Sequence, residues 1–68
     1  MIKNNVLELR KKNNWSRYRL SRVSGVPDPA IRRFEEQNYK EPSLNYIELL
    51  CKAFNCNVGD ILEIEKGN

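Results

Sequence analysis

Histidine is absent from this 68-residue sequence, cysteine occurs only twice, and no long run of apolar residues is present. Without histidine, the chain lacks the side chain that normally titrates near neutral pH, and no Ser, Lys or carboxylate stands in a recognisable nucleophile setting. The longest apolar run, Leu49-Leu50-Cys51, is far shorter than the roughly 20 residues that span a bilayer. We therefore expect a protein that is soluble, cytoplasmic and not an enzyme.

The two cysteines, Cys51 and Cys56, are too close in sequence for a disulfide to stabilise the fold much. Two cysteines without histidine also lack the ligands of a typical zinc site. We expect two reduced thiols that pack against the core, with redox or metal chemistry as the alternative. The sequence thus predicts no metal, no cofactor and no evident site for a small-molecule effector.

The length predicts a single domain over residues 1–68, with a short C-terminal tail from about residue 63. A chain of this size buries only about 60% of its unfolded surface, which leaves no apolar area for a second core. Five segments have helical periodicity or helix-capping signals. The sequence contains no recognisable linker, repeat or low-complexity tract. We predict an all-α fold of five helices.

The charges are divided along the chain. Residues 1–34 carry nine Lys or Arg against two acids, a net +7, whereas residues 35–68 carry three against seven, a net −4. A solvated surface is the simplest explanation of a run of charges. Here, however, five of the nine basic residues in residues 1–34 fall in the second and third predicted helices, and three more lie at the end of the first. This clustering favours a polyanionic partner.

The first two predicted helices have clear apolar positions. Ile2, Val6 and Leu9 follow helical spacing in a segment that ends near residues 13–14. Ser16 is then a good N-cap, and Trp15 before it is placed to pack on Leu20. The second helix is predicted to bury Leu20 and Val23 on its inner side.

A turn separates the second helix from the third. Gly25 can adopt the left-handed conformation that ends a helix, and Val26 would fill the inside of the turn. Asp28 is predicted as the N-cap of the third helix, with Pro29 at its first helical position. The buried side of that helix is predicted to carry Ile31 and Phe34. Two short helices joined by such a turn indicate a helix-turn-helix.

The fourth segment has the strongest periodicity in the chain. Ser43 is its predicted cap, and Asn55 suits a left-handed C-terminal position. Asn57 with Asp60 suggests the cap of a last short helix, after which residues 62–65 alternate like an extended tail. The apolar stripe of the fourth helix consists of Leu44, Ile47, Leu50, Cys51 and Phe54.

Taken together, these motifs resemble the Cro and phage-repressor type helix-turn-helix family, also called XRE-like, from about residue 4 to residue 62. Members of that family are five-helix bundles that bind double-stranded DNA, usually as homodimers, to regulate transcription. The resemblance therefore implies a compact five-helix bundle whose helix-turn-helix is formed by the second and third helices. Each motif alone is weak, but their order and spacing are specific. The matching elements are Val6-x-x-Leu9-Arg10, Trp15-Ser16-x-x-x-Leu20-Ser21, Gly25-Val26, Ile31-x-x-Phe34-Glu35, Pro42-Ser43-Leu44 and Ile47-x-x-Leu50-Cys51-x-Ala53-Phe54.

The resemblance implies roles for individual residues. Arg10 and Glu35 stand where family members often form a salt bridge, and Ser16 should present a helix start to a DNA phosphate. Arg17 replaces a common Gln, which adds a charge beside the DNA backbone. The predicted DNA-binding residues are Arg10, Ser16, Arg17, Tyr18, Pro27, Asp28, Arg32, Arg33, Asn38, Tyr39 and Lys40.

The third helix departs from the family where polar residues often reach the base edges. Pro27 and Pro29 offer no donors there, and Asp28 can only accept, so its one favourable base contact would be a cytosine amino group. Alternatively, the triplet serves only to start the helix. Base reading would then fall to Arg32 and Arg33, either of which could instead hold phosphate.

The loop after the third helix also departs from the family pattern, because Gln37 stands at the usual Gly position and the segment is about one residue longer. Its Asn38, Tyr39 and Lys40 could meet the sugar-phosphate backbone, with an ordinary solvated loop as the alternative.

A homodimer is expected from the family and because one small module offers few base contacts. The predicted interface consists of Asn55, Asn57, Val58, Ile61 and Ile64, although one or two of the apolar residues could instead close the core. Pairing of the extended tail across a two-fold axis is a further possibility. We expect a repressor that recognises an inverted repeat. The alternative is a protein-interaction module, antitoxin- or antirepressor-like, that keeps the fold but reads bases weakly or not at all.

Overall fold

The computed structural model describes residues 2–64, which form five helices and two short strands. In chain order they are β1 (Ile2–Asn4), α1 (Val6–Lys12), α2 (Arg17–Ser24), α3 (Asp28–Glu35), α4 (Leu44–Phe54), α5 (Val58–Ile61) and β2 (Leu62–Ile64). The predicted extension of the tail through Glu65 lies partly outside the described residues.

The two strands correct the prediction of an all-α fold. β1 and β2 pair antiparallel, with Ile2 opposite Ile64 and Lys3 opposite Glu63. Ile2 therefore does not belong to the first helix, which begins only at Val6. The extended tail is confirmed as far as Ile64, but its partner is the N-terminal strand of the same chain. Because this pairing joins the two ends of the chain, local sequence patterns did not reveal it.

The core receives side chains from all five helices. Its buried apolar residues are Val6, Leu20, Val26, Ile31, Phe34, Ile47, Leu50 and Ile61. Two predicted core residues are instead exposed, Val23 at 44% and Leu44 at 75%. In α2 the buried side is formed by Leu20 and Ser24, one turn apart, which turns Val23 outward. Leu44 is the first residue of α4 and lies beyond the edge of the core.

Trp15 joins the entry of α2 to α4. Its ring stacks on Phe54 of α4 with a centroid separation of 5.7 Å, so it packs across the bundle. The predicted caps of both helices are confirmed, because Ser16 Oγ accepts from Arg19 N at 3.0 Å and Ser43 Oγ accepts from Tyr46 N at 3.4 Å.

The turn between α2 and α3 is fixed by a left-handed glycine and two serines. Gly25 has φ +83° and its N–H donates to Ser21 O, as predicted for a helix end. Ser21 Oγ donates to Val26 O at 2.7 Å, and Ser24 Oγ accepts from Val26 N at 3.1 Å. Both polar groups of Val26 are thereby satisfied while its side chain is fully buried.

The prediction that Asp28 caps α3 is wrong. Pro27 is the N-cap, Asp28 is the first helical residue, and no side chain makes a capping hydrogen bond. Pro27 O accepts instead from Ala30 N and Ile31 N. The prolines on both sides of Asp28 lack N–H groups, so fewer donors need a cap here.

α4 ends in a turn that brings the two cysteines together. Asn55 is left-handed, Cys56 N donates to Cys51 O at 3.0 Å, and Asn55 N donates to Lys52 O, which is the hydrogen-bond pattern of a Schellman motif. Both thiols are free and pack against the core, as expected. Burial raises the pKa of Cys51 and of Cys56 above the ordinary thiol value. A capping bond from Asn57 N to Asp60 Oδ2 then starts α5.

Candidate nucleic-acid interface

A bidentate ion pair ties α1 to the end of α3. Arg10 Nε donates to Glu35 Oε2 at 2.6 Å, and Arg10 Nη2 donates to Glu35 Oε1 at 3.2 Å. Arg10 Nη1 also donates to Trp15 O at 2.9 Å. Only 15% and 7% of these two side chains are exposed. The predicted salt bridge between Arg10 and Glu35 is thus present. The prediction that Arg10 also contacts DNA does not fit, because its guanidinium is committed inside the protein.

Arg17 extends this ion pair into a chain of four charges. Its Nε lies 3.5 Å from Glu35 Oε1, and its Nη1 lies 3.9 Å from Asp28 Oδ1. The order Arg10, Glu35, Arg17, Asp28 therefore links α1, α2 and both ends of α3. A third of the Arg17 side chain remains exposed, so it can still meet a phosphate from the protein surface.

The outer side of α3 is available to a partner. Ile31 and Phe34 point into the core, and α3 packs mainly on α1 and α2. The predicted recognition residues at its start and along its outer side are all exposed. They are Pro27, Asp28, Pro29, Arg32 and Arg33.

The start of α2 contributes further exposed groups. Ser16 is exposed, and its hydroxyl oxygen already accepts the Arg19 amide. Tyr18 is 68% exposed, and the Arg22 guanidinium carbon lies 6.0 Å from its ring centroid. Arg22 is not among the predicted DNA-binding residues, although the spacing of an aromatic and a cation four residues apart on a helix indicates such a contact.

The loop after α3 divides into exposed and internal residues. Asn38 and Lys40 are exposed, as a contact with the DNA backbone requires. Tyr39 is half-buried, because its ring lies against Phe34 at 5.5 Å and its hydroxyl donates to Ile2 O and accepts from Asn4 Nδ2. Its hydroxyl therefore serves the fold, and the predicted phosphate contact from Tyr39 does not fit.

One small cavity adjoins this surface. It measures about 100 Å³ and lies between α3 and the following loop, with Arg33, Phe34, Tyr39 and Tyr46 among its lining residues. Pockets for drug-sized ligands are typically about 300–1,000 Å³.

Within residues 2–64, no three Cys, Asp or Glu side chains form a cluster suited to a metal ion. No helix in this part of the chain has the length and apolar character needed to cross a membrane.

The predicted dimer residues do not form one surface. Ile61 is fully buried and closes the core, as the alternative allowed for one or two of them, so it offers nothing to a partner. Val58 is 52% exposed and lines an apolar groove with Leu44, Cys51 and Cys56 between α4 and α5. Two more predicted residues, Asn55 and Asn57, are exposed beside this groove, whereas Ile64 is exposed on β2.

Comparisons with known proteins agree with this geometry. Residues 5–67 match a family model of the Cro/C1-type helix-turn-helix DNA-binding domain. The chain is also 33% identical over 67 residues to a Bacillus subtilis (strain 168) protein described as an uncharacterized HTH-type transcriptional regulator, YgzD. The match covers 98% of this chain and 100% of that relative.

Proposed function

The chain belongs to the Cro/C1-type helix-turn-helix DNA-binding family, and we propose that it represses transcription as a homodimer bound to an inverted repeat. The observation that carries this proposal is the exposed outer side of α3, where Arg32 and Arg33 stand one turn into the helix. The guanidinium of Arg is the usual bidentate reader of guanine in the major groove. In this proposal, repression results from occupation of a promoter by the bound dimer.

Charge supports the polyanionic partner. The net +7 of residues 1–34 falls on the part of the chain that includes α2 and α3, so the basic charge coincides with the proposed reading surface. Each phosphate that a Lys or Arg neutralises releases counterions and strengthens binding at low salt. Exposed Asn38 and Lys40 in the following loop would add contacts to the sugar-phosphate backbone.

The apolar groove between α4 and α5 supports the homodimer. Leu44 and Val58 expose apolar surface there that a second copy would bury. α5 packs mainly on α4 and β2, whereas α3 packs on α1 and α2. Association through α4 and α5 therefore leaves α3 of each copy free to enter DNA, and two copies double the base contacts of one module.

The second candidate function is a protein-interaction module that has kept this fold without reading bases. It is favoured by Asp28, an acidic residue at the leading end of α3, and by the flanking prolines, which offer no donors. The affinity of such a module for DNA would depend little on base sequence, whereas a repressor would bind a particular sequence more tightly than others.

A salt titration separates the two functions. Binding to mixed duplex DNA should weaken steeply with salt, with a slope equivalent to about four or more phosphate contacts. Arg32→Ala and Arg33→Ala should each weaken binding, whereas Lys52→Ala, an exposed cation on α4, serves as the control. Selection from random duplexes should then yield a common half-site in inverted pairs. If the protein does not bind duplex DNA even at low salt, the proposal of a DNA-binding regulator is wrong.

The dimer has its own test. Val58→Glu should shift sedimentation equilibrium toward the monomer, because it places a charge in the apolar groove. Val23→Glu is the matched control, since Val23 is a similarly exposed valine on α2, outside the groove. If neither variant changes an observed dimer, the interface lies elsewhere. If the wild-type protein is monomeric on and off DNA, the homodimer is wrong.

A further inference from the structure

We propose that Asp28, held beside Arg17, selects cytosine at the base pair that meets the start of α3. The inference rests on the proposed function, because it requires α3 to enter the major groove. It goes further by giving a base preference to Asp28, for which the alternative prediction was a role in starting the helix only.

The Asp28 carboxylate is not used to build the helix. Pro27 is the N-cap of α3, and no side chain makes a capping hydrogen bond there. The side chain of Asp28 is 49% exposed, and its ionic neighbour is Arg17, with 3.9 Å between Oδ1 and Nη1. The carboxylate is therefore free to accept a hydrogen bond from a partner.

Arg17 makes this acid compatible with DNA. A carboxylate that approaches the phosphates alone is repelled, but the guanidinium beside Asp28 offsets its charge locally. Arg17 is held from the inside by Glu35, whose carboxylate is 7% exposed and also binds Arg10. Its buried Nε has no hydrogen-bond partner among the described residues. Charge, more than hydrogen bonding, thus keeps Arg17 between the two acids.

The hydrogen-bond pattern of the bases determines which base an exposed carboxylate prefers. An ionised carboxylate only accepts, so it is repelled by guanine N7 and O6 and by thymine O4. Adenine offers its amino group next to the N7 acceptor, whereas cytosine offers its amino group N4 as the donor. Pro27 and Pro29 carry no N–H that could offset a wrong base at this place. Cytosine is therefore the base that Asp28 favours.

The test is selection of bound sites from random duplexes with three proteins. The wild-type protein should enrich cytosine at one position in each half-site. Asp28→Asn should change that position toward adenine, because a carboxamide pairs with adenine N6 and N7. Asp28→Ala should remove the preference there and leave the other positions unchanged. In direct competition, the wild-type protein should prefer the cytosine site over its adenine counterpart by about 5- to 150-fold.

Two further variants separate base reading from charge and position. Glu36→Gln removes a different exposed acid, at the end of α3, and should leave the cytosine preference intact. Arg17→Gln should weaken binding and reduce the preference, because Asp28 loses its positioning partner. Circular dichroism should show the same helix content in all variants, because none of the three substituted side chains is buried.

The outcomes are distinguishable. If both Asp28 variants bind all sequences more tightly by the same factor, Asp28 acts only by repulsion and the inference is overturned. A common half-site in which no position responds to Asp28→Asn also overturns it, while the proposed function stands. Failure of the wild-type protein to select any half-site would instead count against the proposed function itself.

Discussion

The side-chain amide of Gln37 pairs with the main chain of Asn4 like a neighbouring strand. Gln37 Nε2 donates to Asn4 O at 3.0 Å, and Gln37 Oε1 accepts from Asn4 N at 3.2 Å. Gln37 has φ +57°, the left-handed conformation that favours glycine, yet only a side chain can make this pair. The end of α3 is thereby fastened to β1, which explains why a glutamine stands where the family commonly has glycine.

Asn4 should be among the most sensitive polar residues of the fold. It is 1% exposed, its Nδ2 donates to Phe34 O at 2.8 Å and to Tyr39 Oη at 2.9 Å, and its Oδ1 accepts from Val6 N. Asn4→Ala leaves several of these groups unpaired, and we expect a loss of about 2 kcal/mol or more in urea unfolding. Asn5→Ala is the control, since its side-chain bonds are long and exposed. Equal losses for both variants would contradict this account.

Breaking the ion pair of Arg10 and Glu35 should be more harmful than replacing it. Arg10→Met leaves the 7% exposed Glu35 without its main partner, and we expect about 3–5 kcal/mol of destabilisation in chemical unfolding. Combining Arg10→Met with Glu35→Leu should recover much of that loss, because the carboxylate that lost Arg10 is also removed and Arg17 keeps Asp28 as an ionic neighbour. Arg19→Met, at an exposed cation, should change stability by less than about 0.5 kcal/mol. A double variant less stable than Arg10→Met alone would refute the argument.

The two described glycines should respond oppositely to alanine. Gly25 has φ +83° and open space around an added Cβ, so Gly25→Ala should cost about 1–2 kcal/mol from backbone conformation alone. Gly59 also has open space but no positive φ, and it lies within α5. Gly59→Ala should therefore stabilise the protein by about 0.5–1 kcal/mol. Thermal unfolding of both variants tests this, and destabilisation by Gly59→Ala would contradict it.

The thiols should react as groups with raised pKa values. Burial raises the pKa of Cys51 and of Cys56, so folding favours their protonated forms. Their contribution to stability is full below the pKa of an unfolded thiol, about 8.5, and is lost as pH rises through the higher folded pKa. Alkylation by iodoacetamide, followed by mass spectrometry, should have a higher midpoint pH in the folded protein than in urea. A folded midpoint at or below the unfolded one would be inconsistent with burial.

Much of the local structure is predictable from neighbouring residues. Ser16, Gly25, Ser43 and Asn55 were identified as helix ends because capping depends on atoms within a few residues of each other. The periodicity of α3 likewise predicted that Ile31 and Phe34 would be buried and that the arginines would face out.

The sequence by itself therefore determined the helices, the turn between α2 and α3, the family and the basic surface, since these depend on short-range geometry and on charge. Only the tertiary structure decided which polar side chains already have hydrogen-bond or ion-pair partners within the protein. The Tyr39 hydroxyl hydrogen-bonds to β1, and the Arg10 guanidinium hydrogen-bonds to Glu35 and Trp15, whereas the Asp28 carboxylate makes no capping hydrogen bond. It also decided the pairing of β1 with β2, which joins positions 2 and 64. Hydrogen bonds between residues this far apart in sequence exist only after the chain has packed, so no local pattern encodes them.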